Sequence, residues 1–153
     1  TKLEKKMNTV AWRPDFGPTI PHPSAGVSVI GARRPLIAFN VQLSTDDLEV
    51  AEQIAKAVRE ISGGLPAVRA IPIRLAERGI VQVSMNLLDY ERTSIFTAFD
   101  AVRREATARG VEVLSSELIG LAPAEALLVA AAESLVLENF SMNLVIENQL
   151  DWT

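Results

Sequence analysis

Two stretches of the chain alternate in the same way. Leu36-Ile37-Ala38-Phe39-Asn40-Val41-Gln42-Leu43 and Ile80-Val81-Gln82-Val83-Ser84-Met85-Asn86-Leu87 place apolar residues at odd positions, and carboxamides and a hydroxyl at even ones. Neighbouring side chains of a strand point to opposite sides, so each stretch predicts a strand with one buried face and one polar face. Asn40, Gln42, Gln82, Ser84 and Asn86 bring donors and acceptors to that polar side, but no field that would select one sign of ion. Such a face suits a neutral heterocycle or an amide-bearing ligand better than a phosphate.

The pattern changes period between these strands. Asp46 with Glu49 three residues on is a helix start signal, and Leu48, Ala51, Ile54, Ala55, Val58 and Ile61 recur at helical spacing until Gly63-Gly64. Val68 to Leu75 reads as a strand whose Pro72, lacking an N–H, belongs at an edge or a bulge. The turn Glu77-Arg78-Gly79 is short enough to join it to the second polar-faced strand as a hairpin. Thr93 is expected to cap a helix lined by Ile95, Phe96, Phe99, Val102 and Ala106 and stopped by Gly110. Val111 to Leu121 predicts a fourth strand, broken at Ser115-Ser116 by a bulge or a change of face.

Pro123 suits the first position of an alanine-rich helix reaching about Leu137, with Leu127, Leu128, Ala131 and Leu135 as its inward stripe. The same apolar face could instead serve a partner. Met142 to Glu147 reads as a further edge strand. Residues 1–35 combine a charged start with Trp12-Arg13-Pro14-Asp15-Phe16-Gly17-Pro18 and Pro21-His22-Pro23-Ser24-Ala25-Gly26, a proline and glycine density that resists regular structure. This part is read as an extended arm or linker, with Trp12 and Phe16 expected to pack onto a neighbouring surface or, in an isolated fragment, to be exposed.

Strand, helix, strand, strand, helix, strand is the split βαβ order of an α+β, ferredoxin-like sandwich (βαββαβ), here with an extra C-terminal helix and an N-terminal arm. Residues 1–35 form the arm and residues 36–153 the domain. In this topology the first and third strands are central neighbours and the second is an edge, where Pro72 is tolerated. Helices cover one face, so the other would gather Asn40, Gln42, Gln82, Ser84 and Asn86. A polar sheet face can also be merely wet. Short amides and serine, unlike the lysine and glutamate usual on surface strands, are costly to bury unless paired and useful where something docks.

Composition narrows the class. The 153 residues suit one domain, and with 48% hydrophobic and 22% charged residues the chain is globular in character. Lysine and arginine number 15 against 19 acids, a net charge of -4, so no basic footprint is present for nucleic acid or an anionic membrane. No cysteine is present, which removes disulfides, thiolate metal sites and cysteine nucleophiles and fits a cytoplasmic protein. The apolar run Ala126 to Ala132 is far short of the ~20 residues that span a bilayer. The chain starts at Thr1 rather than Met, as a piece of something longer would.

Other candidates have plain readings beside chemical ones. Gly31-Ala32-Arg33-Arg34 could let backbone amides approach a ligand while arginine grips a carboxylate, or could be a turn and solvated cations. It carries neither a phosphate loop nor a dinucleotide fingerprint. His22 is the only histidine; nothing nearby would orient it as a base, and one histidine does not make a zinc site. Glu117 and Asp89 could bind a protonated nitrogen or be solvated acids.

Five ordered blocks also resemble a known family. Trp12-x-Pro14-Asp15-Phe16-Gly17-Pro18, Gly31-Ala32-Arg33, Leu36-Ile37-Ala38-Phe39-Asn40-Val41-x-Leu43, Val83-Ser84-Met85-Asn86-Leu87-x-Asp89 and Ser116-Glu117-Leu118-Ile119-Gly120-Leu121-x-Pro123 resemble the C-terminal subdomain of glutamate formiminotransferase, a family that also occurs fused to a cyclodeaminase. The resemblance implies a transferase of histidine breakdown that moves a formimino group from N-formiminoglutamate to N5 of tetrahydrofolate, the co-substrate, with no metal. It implies an N-terminal subdomain as partner, carrying the catalytic histidine, with the folate held between the halves. No catalytic residue is then expected in this chain, and His22 matches no such role. Arg33, Asn40, Gln42, Ser84 and Asn86 become the residues expected to line the half-site. A homodimer is compatible with this reading. A small-molecule-binding regulatory module of the same sandwich type is the rival, whereas an RNA-binding version would show aromatics and lysines on the open face.

Overall fold

The computed structural model describes residues 2–150. The chain divides into two compact units, Thr1–Arg33 and Arg34–Thr153.

In the first unit, Lys2–Met7 is a short helix, α1, followed by a 3-10 turn at Val10–Trp12. The charged start is thus helical rather than extended, because the prolines and glycines that deny a helix begin only at Pro14. Beyond them the chain is irregular, apart from a tight turn closed by paired backbone bonds between His22 and Gly26. Phe16 is 94% exposed and Trp12 52% exposed rather than packed away. Trp12 instead lies under the Lys6 ammonium, 4.5 Å from the ring centroid.

The second unit is an α+β, ferredoxin-like sandwich. Strands β1 (Ile37–Leu43), β2 (Val68–Leu75), β3 (Ile80–Leu87) and β4 (Val113–Ile119) form an antiparallel sheet in the order β2-β3-β1-β4. Helices α2 (Leu48–Val58) and α3 (Ile95–Thr107) provide the crossovers, and α4 (Ala124–Ser134) follows β4. Pro72 sits on β2, an edge strand as its missing N–H requires.

The core is built from the odd positions of the central strands. Ile37, Phe39, Val41 and Leu43 join Val81, Val83, Met85 and Leu87 in one buried cluster with Ala51, Ile54, Ala55 and Val58 of α2 and Ile95, Ala98 and Val102 of α3. Each fully buried aliphatic side chain of this kind contributes about 1.5–3 kcal/mol. This burial fixes the sheet's orientation, since a one-residue slip would turn every apolar side chain outward.

Local signals are displaced by a residue or more. Asp47, not Asp46, caps α2 by accepting from the Glu49 N–H at 2.9 Å. Ser94, not Thr93, caps α3 by accepting from the Thr97 N–H at 3.0 Å. Thr93 is buried, its hydroxyl donating to the Pro66 carbonyl at 2.6 Å. Helix α2 ends at Val58, so Ile61 falls in a 3-10 turn and is 91% exposed rather than in the stripe. The bulge in β4 lies at Leu114, between Val113 and Ser115, which pair with adjacent residues of β1.

Two expectations at the C-terminal end are overturned. Pro123 is the N-cap of α4, not its first residue, and the helix ends at Ser134. Its buried residues are Ala126 and Ala132, whereas Leu127 and Leu135 are exposed. The tight approach of α4 is made by alanine, and an alanine-rich sequence offers several equivalent stripes that periodicity cannot rank. Met142–Leu144 and Ile146–Asn148 are 3-10 turns rather than an edge strand.

Candidate functional site

The sheet face away from the core helices is read directly from the strand register. Asn40 faces Ser84, Gln42 faces Gln82 and Ala38 faces Asn86 across β1 and β3. On the outer flanks Glu117 pairs with Asn40, Ser115 with Gln42 and Ile119 with Ala38. Ile71 pairs with Ser84, Arg69 with Asn86 and Ile73 with Gln82. Cross-strand partners project to the same side, so three rows result: Arg69-Asn86-Ala38-Ile119, Ile71-Ser84-Asn40-Glu117 and Ile73-Gln82-Gln42-Ser115.

The five polar residues singled out on the central strands therefore share one surface. Its centre is a floor rather than a wet plain: Asn40, Gln42 and Gln82 are buried to 8%, 6% and 6% exposure, while Ser84 is half-buried and Asn86 exposed. Gln42 is held firmly. Its Oε1 accepts from Arg78 Nη1 at 2.8 Å and from Ser115 Oγ at 2.7 Å. No described side-chain nitrogen or oxygen is fully buried without a partner.

Arg33 closes the first unit and is exposed. His22 also belongs there, its Nδ1 accepting from the Ser24 and Ala25 backbone N–H groups at 3.3 and 3.1 Å, so it organises its own turn. Asp89 accepts from the Glu91 N–H at 3.2 Å and shapes the turn after β3. Glu117 does lie on the face, at the exposed β4 flank. Reasoning along the sequence missed Arg78 and Ser115. Arg78 was visible only as a turn residue, and Ser115 as part of an irregularity; only their proximity to Gln42 gives them meaning.

Among the described residues no group of three or more histidines and acids could hold a metal ion. No described helix is long and apolar enough to cross a membrane.

A ferredoxin-like sandwich with a carboxamide-rich sheet face defines an architecture, and fold alone does not name a function. The sequence narrows the class: residues 38–150 match the formiminotransferase domain family, and the chain belongs to that family. It is 43% identical over 149 residues to glutamate formimidoyltransferase of Streptococcus pyogenes serotype M1, covering 97% of this chain and 50% of that protein. A glutamate formimidoyltransferase of Thermoplasma acidophilum is 39% identical over 150 residues, covering 98% and 49%. Formimidoyltransferase-cyclodeaminase of Mus musculus is 44% identical over 136 residues, covering 85% of this chain and 25% of that protein. The chain spans about half the length of the first two relatives.

Proposed function

We propose that this chain acts as the C-terminal, folate-binding half of a glutamate formimidoyltransferase of histidine degradation, with residues 36–153 as the subdomain and residues 1–35 as its linker. The observation that carries the reading is the assembly of Asn40, Gln42, Ser84 and Asn86 on the sheet face opposite the helices, in a chain whose relatives are about twice as long. Arg33 is included in the site on the family resemblance.

In the proposed transfer, N5 of tetrahydrofolate attacks the formimino carbon of N-formiminoglutamate, and the bond from that carbon to the glutamate nitrogen breaks. N5 loses a proton and the departing nitrogen gains one. The step needs a base and donors that stabilise a tetrahedral intermediate. The carboxamides and serine hydroxyl supply donors and acceptors that orient the pterin or the glutamate ends. The base is assigned to an N-terminal subdomain, and the enzyme to the cytoplasm, as a homodimer or otherwise.

The test supplies the N-terminal half of the Streptococcus pyogenes enzyme to this chain and follows formimino transfer. Turnover should appear in the mixture and not in either half. In the Asn40→Ala/Asn86→Ala double variant it should fall at least tenfold with the fold intact. Unchanged turnover by that variant would remove both residues from the site. A response to a free amino acid without any folate effect would favour the regulatory-module reading instead.

A further inference from the structure

One end of the polar face carries a cation that alternation does not flag. Arg78 lies in the 3-10 turn Ala76–Arg78 between β2 and β3, and its guanidinium reaches Gln42 on the neighbouring central strand. The same Gln42 oxygen accepts from Ser115 of β4. With its carbonyl committed to two donors, the Gln42 amide is fixed in orientation, and its NH2 group is what remains to offer. The corner formed by Arg78, Gln42 and Ser115 is therefore rich in donors.

Arg78 differs from most arginines of this unit. Arg34, Arg92, Arg103, Arg104 and Arg109 each face a carboxylate of the chain itself. Among the described residues no ion pair engages Arg78, whose guanidinium bonds the neutral Gln42 oxygen. A guanidinium has five N–H groups, so after one bond to Gln42 it keeps a planar fork and its full charge for a carboxylate. Glu117, one row away on the β4 flank, repels an anion there and leaves the hairpin end as the favourable side.

We infer that Arg78, steadied by Gln42 and Ser115, binds a carboxylate of a glutamyl group and so fixes the dicarboxylate end of a ligand lying along the sheet. The glutamyl identity rests on the proposed formimino transfer; the pinned, acid-free guanidinium does not. Formiminoglutamate and the tail of tetrahydrofolate share this chemistry, and the experiment separates them.

Glutarate is titrated into the full chain and its Kd measured by calorimetry, with the arginine Nε–H signals followed by NMR. The Arg78 signal should shift, and Arg78→Met should weaken glutarate at least tenfold. Arg78→Lys, which keeps charge and stem but not the fork, should recover only part of that loss, and it carries the test alone should Arg78→Met not fold. Arg69→Met, which removes the other cation paired onto this face, should leave the Kd within twofold. In the reconstituted enzyme, a raised KM for formiminoglutamate alone assigns the corner to that substrate. A raised KM for tetrahydrofolate, without change for a tail-less tetrahydropterin, assigns it to the folate tail. Glutarate that shifts no Arg78 signal, or an unchanged Kd in both Arg78 variants, overturns the inference. Glutarate binding to the chain with no formimino transfer in the reconstituted enzyme would instead sink the transferase reading and leave Arg78 as a carboxylate site.

Discussion

Gly64 sits where a side chain has nowhere to go: a Cβ would lie 2.5 Å from the Ala57 carbonyl oxygen and from the Val58 carbonyl carbon, and 2.6 Å from the Val58 oxygen. The neighbouring Gly63 has a different reason to be glycine, since its φ of 90° is left-handed while the space around it is open. Sequence inspection treats Gly63-Gly64 as one stop signal, yet the two substitutions should differ. Gly63→Ala is expected to cost about 1 kcal/mol from backbone strain. Gly64→Ala should cost about 2–3 kcal/mol, because main-chain atoms pinned by the Leu65 N–H to Val58 carbonyl bond must move. Denaturant unfolding of both variants checks the order, and equal losses would refute it. The caps teach the same lesson at this scale. Asp46 and Asp47, or Thr93 and Ser94, are chemically near-equivalent neighbours, and only the direction from which the chain enters the helix decides which one bonds the free N–H groups.

At the scale of elements, legibility followed the strength of the period. β2 and β3 lie where their composition places them, and β1 within one residue, because alternation against a buried face admits one register. In α4 the buried stripe is made of alanine, and Leu127 and Leu135 are left outside, a choice that periodicity does not rank. The consequence is measurable. Leu135, 68% exposed, should tolerate serine within about 0.5 kcal/mol. Ile54, fully buried under the sheet, should lose about 3–4 kcal/mol on truncation to alanine. Thermal unfolding in which Leu135→Ser is as damaging as Ile54→Ala would contradict this assignment. The link between α3 and α4 is polar: the Ser94 hydroxyl that caps α3 also bonds the Glu133 carboxylate of α4, a pairing no local pattern announces.

For the whole molecule, every member of the main buried cluster falls between Ile37 and Ala126. A chain trimmed to residues 34–153 should therefore retain a single cooperative thermal transition, with its midpoint within a few degrees of the full chain's. Loss of cooperativity on trimming would mean that the first unit contributes to the core. The candidate site was half legible. Asn40, Gln42, Gln82, Ser84 and Asn86 could be assigned to one face once the strand order was inferred, because parity along a strand translates into side. Arg78 and Ser115 could not, since their role depends on reaching Gln42 from 36 and 73 residues away.

The amino-acid pattern by itself determined the periods: which residues alternate, which recur every third or fourth position, where proline and glycine forbid continuation. Those are properties of neighbouring residues and survive without knowledge of the fold. Tertiary structure alone decided which of two adjacent caps is used, which stripe of an alanine-rich helix turns inward, and which arginine stands over the carboxamide floor. Each is a choice among locally equivalent options, settled by contacts between segments distant in the chain, where packing and charge discriminate and sequence spacing does not.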